Sequence, residues 1–216
     1  MLKKQLVILF MTGCLSTVSL AASVSVSVSD QTGNPIQSAV VEAVSPTGAL
    51  AKPATFVEIV DQVNKEFVPH ITVVPVNTPI KFPNKDNIHH HVYSFSPAKP
   101  FELPLYEGTP TEPILFDKAG IVTLGCNIHD WMLGYIYVAD SDKFAQTDAK
   151  GQATISQLPA GKYLIKVWHP NAHNAKEADS YPITLADDDK QQLAVQMTIK
   201  PAIRIRRTPS SRNSQY

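Results

Sequence analysis

The chain has 216 residues, 44% of them hydrophobic, and its 19 basic and 19 acidic side chains cancel. A formally neutral chain excludes a general nucleic-acid binder, which needs a basic face to meet phosphate. The neutrality is uneven: Arg204, Arg206, Arg207 and Arg212 are the four arginines, all in the tail RIRRTPSSRNSQY, so the body is mildly acidic.

The first element is an export signal. Lys3 and Lys4 precede an apolar run from Leu6 to Leu20, and Ser19, Ala21 and Ala22 supply small residues for cleavage. This layout predicts a cleaved signal over 1–22, too short and wrongly flanked for a membrane span. Met11-Thr12-Gly13-Cys14 is an imperfect lipoprotein-like box. Membrane association is expected only through lipidation at Cys14 or through the basic tail. Cleavage leaves Cys126 as the one cysteine of an exported, periplasmic protein, with no partner in the chain for a disulfide. Such a thiol is buried and inert, joined to another chain, or bound to something.

Period-two alternation runs through the rest. ASVSVSVSD (22–30), FVEIVDQV (56–63), ITVVPV (71–76), HVYSF (91–95), GYIYV (134–138), KYLIKVW (162–168) and LAVQMTI (193–199) are short, rich in β-branched or aromatic residues, and punctuated by Pro, Gly, Asn or Asp. No stretch keeps a helical period for three turns. The prediction is an all-β protein, a sandwich or a pair of them, ending in a disordered basic tail over 201–216.

Near the start, a strand, a turn through Gly33-Asn34-Pro35 and a second strand follow one another; after residue 140 come strand, turn, strand, turn, strand. Asp30, Gly33, Pro35 and Ala39, then Thr147-Asp148, Gly151, Leu158-Pro159, Gly161 and Tyr163, resemble the two parts of a carboxypeptidase-regulatory, transthyretin-like β-sandwich. In that family the parts are close in sequence. Their separation here predicts one discontinuous sandwich, 23–50 with 141–200, interrupted by an inserted domain over 51–140. A linear pair of domains, with 23–50 joining the middle sheet, is the alternative.

The middle segment carries the chemistry. Phe67-x-Pro69 before VVPVNTPIKFPNKD, His90 in the run HHH, and Cys126-x2-His129-x2-Met132 followed by Gly134 resemble the cupredoxins, the small blue-copper sandwiches of the plastocyanin and amicyanin kind. The resemblance implies a Greek-key β-sandwich holding one type 1 copper ion through His90, Cys126, His129 and Met132. It also implies single-electron exchange with periplasmic redox proteins. Two imidazoles, a thiolate and a weak axial thioether are the ligand class used for electron transfer, because soft sulfur donors favour Cu(I) while imidazole serves both oxidation states. Each residue has a plainer reading: Cys126 as a small buried hydrophobe, Met132 as core filler, His129 as a turn residue.

Alternation turns His89 and His91 away from His90. His91 is the rival ligand and otherwise an outer-shell residue, standing where the family commonly has asparagine. Ile128 replaces a proline of the amicyanin-type loop, so its amide is free to approach the Cys126 sulfur. Trp131 and Leu133, beside His129, form the expected docking face. His169 reads as a strand end, His173 as a loop residue and His70 as surface. No catalytic motif is visible, so a non-enzymatic electron carrier is expected. The rivals are a non-redox copper-binding or delivery protein and a structural interaction module with a decayed copper domain.

Overall fold

The computed structural model describes residues 21–46, 55–110 and 112–200, and every regular element among them is a β-strand. The expected signal up to residue 20, Cys14 and the basic tail lie outside the described residues. Ala22 already opens the first strand. Two strands come first, β1 (Ala22–Asp30) and β2 (Val40–Val44). The middle supplies β3 (Glu58–Ile59), β4 (Asp61–Val63), β5 (Glu66–Val68), β6 (Ile71–Pro75), β7 (Thr78–Lys81), β8 (His90–Ser94), β9 (Phe101–Tyr106), β10 (Ile114–Phe116), β11 (Gly120–Gly125) and β12 (Leu133–Ala139). Then follow β13 (Phe144–Gln146), β14 (Gln152–Leu158), β15 (Gly161–Trp168), β16 (Asp179–Leu185) and β17 (Lys190–Met197).

Strands from the two ends of the chain pair with one another. β1 lies between β14, antiparallel, and β17, parallel; β2 lies between β13 and β15, with β16 beyond. The Val-Ser alternation of β1 sends Val24, Val26 and Val28 inward and exposes Ser25 and Ser27. Burying a valine is worth roughly 1.5–3 kcal/mol. A one-residue slip of β1 would expose three valines and bury serines, so this face pins the register. The shared core joins Val24, Val26 and Val41 to Ile155, Ile165 and Val195. Thr147 ties the ends: its hydroxyl donates to the Ile36 carbonyl at 2.6 Å and accepts the Ala39 amide at 2.9 Å.

The middle strands build a second core. A five-stranded sheet, β6-β12-β11-β8-β9, and a three-stranded sheet, β10-β7-β3, share Phe67, Ile80, Phe82, Phe116, Leu124 and Ile136. The stretch FVEIVDQV, expected as one strand, is divided. β3 pairs with β7, the amide of buried Val60 bonds the Lys81 carbonyl, and β4 turns through Asn64-Lys65 into β5. Both turn residues have left-handed φ, 54° and 62°, as a tight hairpin of matching twist requires.

The two cores meet along the outer face of β12. Tyr137 and Ala139 pack with Ile71, Val40 and Trp168, and the Tyr135 and Tyr137 rings lie 5.7 and 5.8 Å from the Trp168 ring. Buried Glu42 accepts the Tyr137 hydroxyl at 2.9 Å and the Ser141 amide at 2.8 Å. The C-terminal end of β12 is thereby fixed, while its N-terminal end carries the loop described next.

Candidate metal centre

β11 ends at Gly125 and β12 begins at Leu133, and the two residues are paired across the sheet. The intervening loop is therefore short and closed at its base. Inside it the Met132 amide donates to the His129 carbonyl at 2.9 Å, making one turn. Two glycines let the surroundings close in. A β-carbon at residue 125 would stand 2.6 Å from the Tyr93 ring, and one at residue 134 would stand 2.8 Å from the Phe67 β-carbon. Larger residues would drive off the packing that shields the loop.

The Cys126 thiol is 4% exposed. Its sulfur lies 3.7 Å from Nδ1 of His129, three residues on, and 4.0 Å from Nδ1 of His90, the first residue of β8. Among the described residues, these three side chains form the group of His, Cys or acidic residues whose ligand atoms all lie within 4.8 Å of one another. Metal–sulfur and metal–nitrogen bonds of about 2.3 and 2.0–2.1 Å, meeting at tetrahedral to trigonal angles, separate S from N by about 3.6–3.8 Å. The 3.7 Å pair matches that separation and the 4.0 Å pair exceeds it by about 0.2 Å, so a small inward shift of His90 would seat one small ion. Met132, 2% exposed, belongs to the same core cluster as Cys126.

His90 is fully buried, its ring 5.0 Å from that of His129. Its Nε2 meets Oδ2 of Asp86 at 2.8 Å, a partner that sequence reasoning missed. Asp86 also accepts the Asn64 amide at 2.7 Å and the Lys65 amide at 2.8 Å. Burial pushes the Asp86 carboxyl up, but the His90 bond, both amides and the His90 charge outweigh it and hold it below the ordinary carboxylate range. Burial, with the nearby charges of His90 and Lys65, depresses His129 below 6.5 against the opposing pull of Asp86. A neutral imidazole keeps a lone pair for a metal.

His91 is not brought to the thiol. Its Nε2 bonds Glu102 at 2.8 Å, toward β9, and its buried Nδ1 has no partner. Asn84 orders the approach to His90: its side-chain amide donates to the Ile88 and Tyr106 carbonyls at 2.7 and 3.0 Å, and its Oδ1 accepts the Asp86 amide at 3.0 Å. The hydrogen bonds of the Cys126 sulfur are to the two imidazoles; the Ile128 amide, expected to approach it, is not a partner. Around the centre Ile128, Trp131 and Leu133 are 48%, 41% and 41% exposed, and the Trp131 ring lies 5.4 Å from that of His129.

Among solved structures the chain is similar to a copper-containing nitrite reductase from Thermus scotoductus SA-01, at 25% identity and a TM-score of 0.37, over 44% of this chain and 27% of that one. This chain thus spans about a quarter of that enzyme's length. It is also similar to an amicyanin mutant in its oxidised form, at 17% identity and a TM-score of 0.36, over 45% of this chain and 99% of amicyanin. A purple cupredoxin from Nitrosopumilus maritimus matches at 22% and 0.33, over 38% and 98%. No protein-family model and no curated protein matches the chain.

The other histidines stand apart from this group. His70 is exposed and sets its ring edge-on to Tyr135 at 5.4 Å. His169 accepts the Asn171 amide on Nδ1 at 3.2 Å, and the backbone amide of exposed His173 bonds the Thr198 carbonyl.

Proposed function

We propose that this is an exported, periplasmic type 1 copper protein that carries single electrons and catalyses no reaction of its own. The observation that carries this reading is the Cys126 sulfur, buried between two Nδ1 atoms at 3.7 and 4.0 Å. His90, Cys126 and His129 would hold the ion, with Met132 as the weak axial donor. A copper ion held there would supply reversible one-electron chemistry between partner proteins.

The chain's own part is to hold the donors still. Cys126 and His129 occupy one short loop closed by a strand pair, and His90 begins a strand of the same sheet. A site built on rigid elements changes little when the charge on the metal changes. Exposed Trp131 and Leu133 beside His129 supply the docking face. On this reading the cupredoxin-like domain is 51–140, inserted into a transthyretin-like sandwich of 23–50 and 141–200 that serves as scaffold or second docking module.

The test is titration of Cu(II) into the purified protein with visible and electron-spin spectra recorded. One equivalent giving an intense thiolate-to-copper band, with cyclic one-electron reduction, supports the proposal. Binding without that band, with ready exchange of the metal, would replace it with copper delivery. No binding would leave an interaction module. A Trp131→Ala protein should keep the band and lose electron exchange with its partner; unchanged exchange rejects the docking face.

A further inference from the structure

We infer that Asp86 is the positioning residue of this centre, an acceptor that fixes His90 with Nδ1 toward the Cys126 sulfur and ties it to the β4–β5 turn. The inference rests on the copper reading for its effect on the metal, but not for the orientation of the ring.

A carboxylate only accepts hydrogen bonds. In the neutral ring, with Oδ2 of Asp86 2.8 Å from Nε2 of His90, the one ring hydrogen belongs on Nε2 and the lone pair on Nδ1, which faces the sulfur. His90 is fully buried, so water offers Nε2 no substitute partner, and rotating the ring would strand a buried N–H. Asp86 is itself held. Its Oδ1 takes the Asn64 amide, its Oδ2 also takes that of Lys65, and its own amide donates to Asn84. The left-handed conformation of both Asn64 and Lys65 aims consecutive amides at one acceptor, which suits an anion. The clamp thus runs from a hairpin tip, through one carboxylate, to one imidazole.

The two imidazoles are consequently unequal. The His90 ring shares its hydrogen with an anion, which makes Nδ1 the stronger donor and favours the more highly charged oxidised metal. Glu102 provides an internal control, since it makes an equally short bond to a histidine, His91, that does not face the thiol.

The experiment uses the full chain with Asp86→Asn, Asp86→Glu and Glu102→Gln. In metal-free protein, nitrogen NMR should show His90 as the Nε2–H tautomer in the wild type and a mixture in Asp86→Asn. In copper-loaded protein, Asp86→Asn should bind Cu(II) about 10–100-fold more weakly, the usual cost of losing an outer-shell partner. Cu(I) affinity should fall less, so the reduction potential rises. Asp86→Glu should recover part of the loss, and Glu102→Gln should change neither affinity nor potential. Unchanged tautomer and unchanged Cu(II)-to-Cu(I) affinity ratio in Asp86→Asn would overturn the inference. If the wild type bound no copper, the functional proposal would fail while the tautomer measurement still decided the role of Asp86.

Discussion

The Tyr93 ring lies directly over Gly125, its paired residue across β8 and β11: a β-carbon there would stand 2.6 Å from Cζ and 2.7 Å from the hydroxyl oxygen. Cys126 is the next residue, so whatever moves this pair moves the thiol. Gly125→Ala should cost about 1–3 kcal/mol, the usual penalty of overpacking, read as a lower urea midpoint. It should also weaken copper binding. In a Tyr93→Ala background the same substitution should cost much less; equal costs in both backgrounds would show that the ring is not the cause.

Met132 separates the metal reading from simple packing. Leu is close to Met in volume, and such swaps in a core usually cost less than about 1.5 kcal/mol. Met132→Leu should therefore fold normally. If the thioether is the axial donor, the reduction potential moves while the intense visible band persists, because the axial ligand tunes the potential. A potential equal to that of the wild type would make Met132 core filler.

The sequence announces those features whose cause is local. The Val-Ser alternation of β1, the tight loop 126–132 and the opposite facing of His90 and His91 each follow from neighbouring residues along one strand or turn, and each can be read from spacing. Asp86 cannot be. In the polar run NKDN it reads as a solvated turn residue, and the Asn64 and Lys65 amides that hold it lie 22 and 21 residues away. The one usable signal is an acid four residues before a histidine. The break in FVEIVDQV is hidden for the same reason, since its halves choose different partners, β7 and β5. The partner of His91 also lies outside its local sequence: Glu102, 11 residues on, arrives on a strand, FELPLY, that alternates only weakly.

Thr147 should be a disproportionately costly position for substitution. Its hydroxyl serves the Ile36 carbonyl and the Ala39 amide at once, the latter 108 residues away along the chain. Thr147→Val keeps the shape and leaves two buried backbone groups without this partner, at about 1–3 kcal/mol for each that stays unsatisfied. Thr147→Ser keeps the hydroxyl and should lose far less. Denaturant unfolding of the two variants checks this. Equal losses would assign the effect to the methyl group instead.

Glu42 should make stability depend on pH. Burial raises its carboxyl above the ordinary 4.5, in spite of the Tyr137 hydroxyl, the Lys166 charge and the Ser141 amide, which all act to lower it, while Asp140 adds to the rise. A carboxyl whose folded pKa is raised favours folding when protonated. Its contribution is complete below about 4.5 and is lost as pH climbs through the raised folded value. Glu42→Gln stays neutral throughout, and its side chain can still accept the Ser141 amide while donating to the Tyr137 oxygen. The stability of the wild type relative to Glu42→Gln should therefore fall as pH rises from 4.5 toward neutrality, measured by urea unfolding in a buffer series. A difference that stays flat across that range would mean that Glu42 is ionised as easily inside the junction as in the unfolded chain.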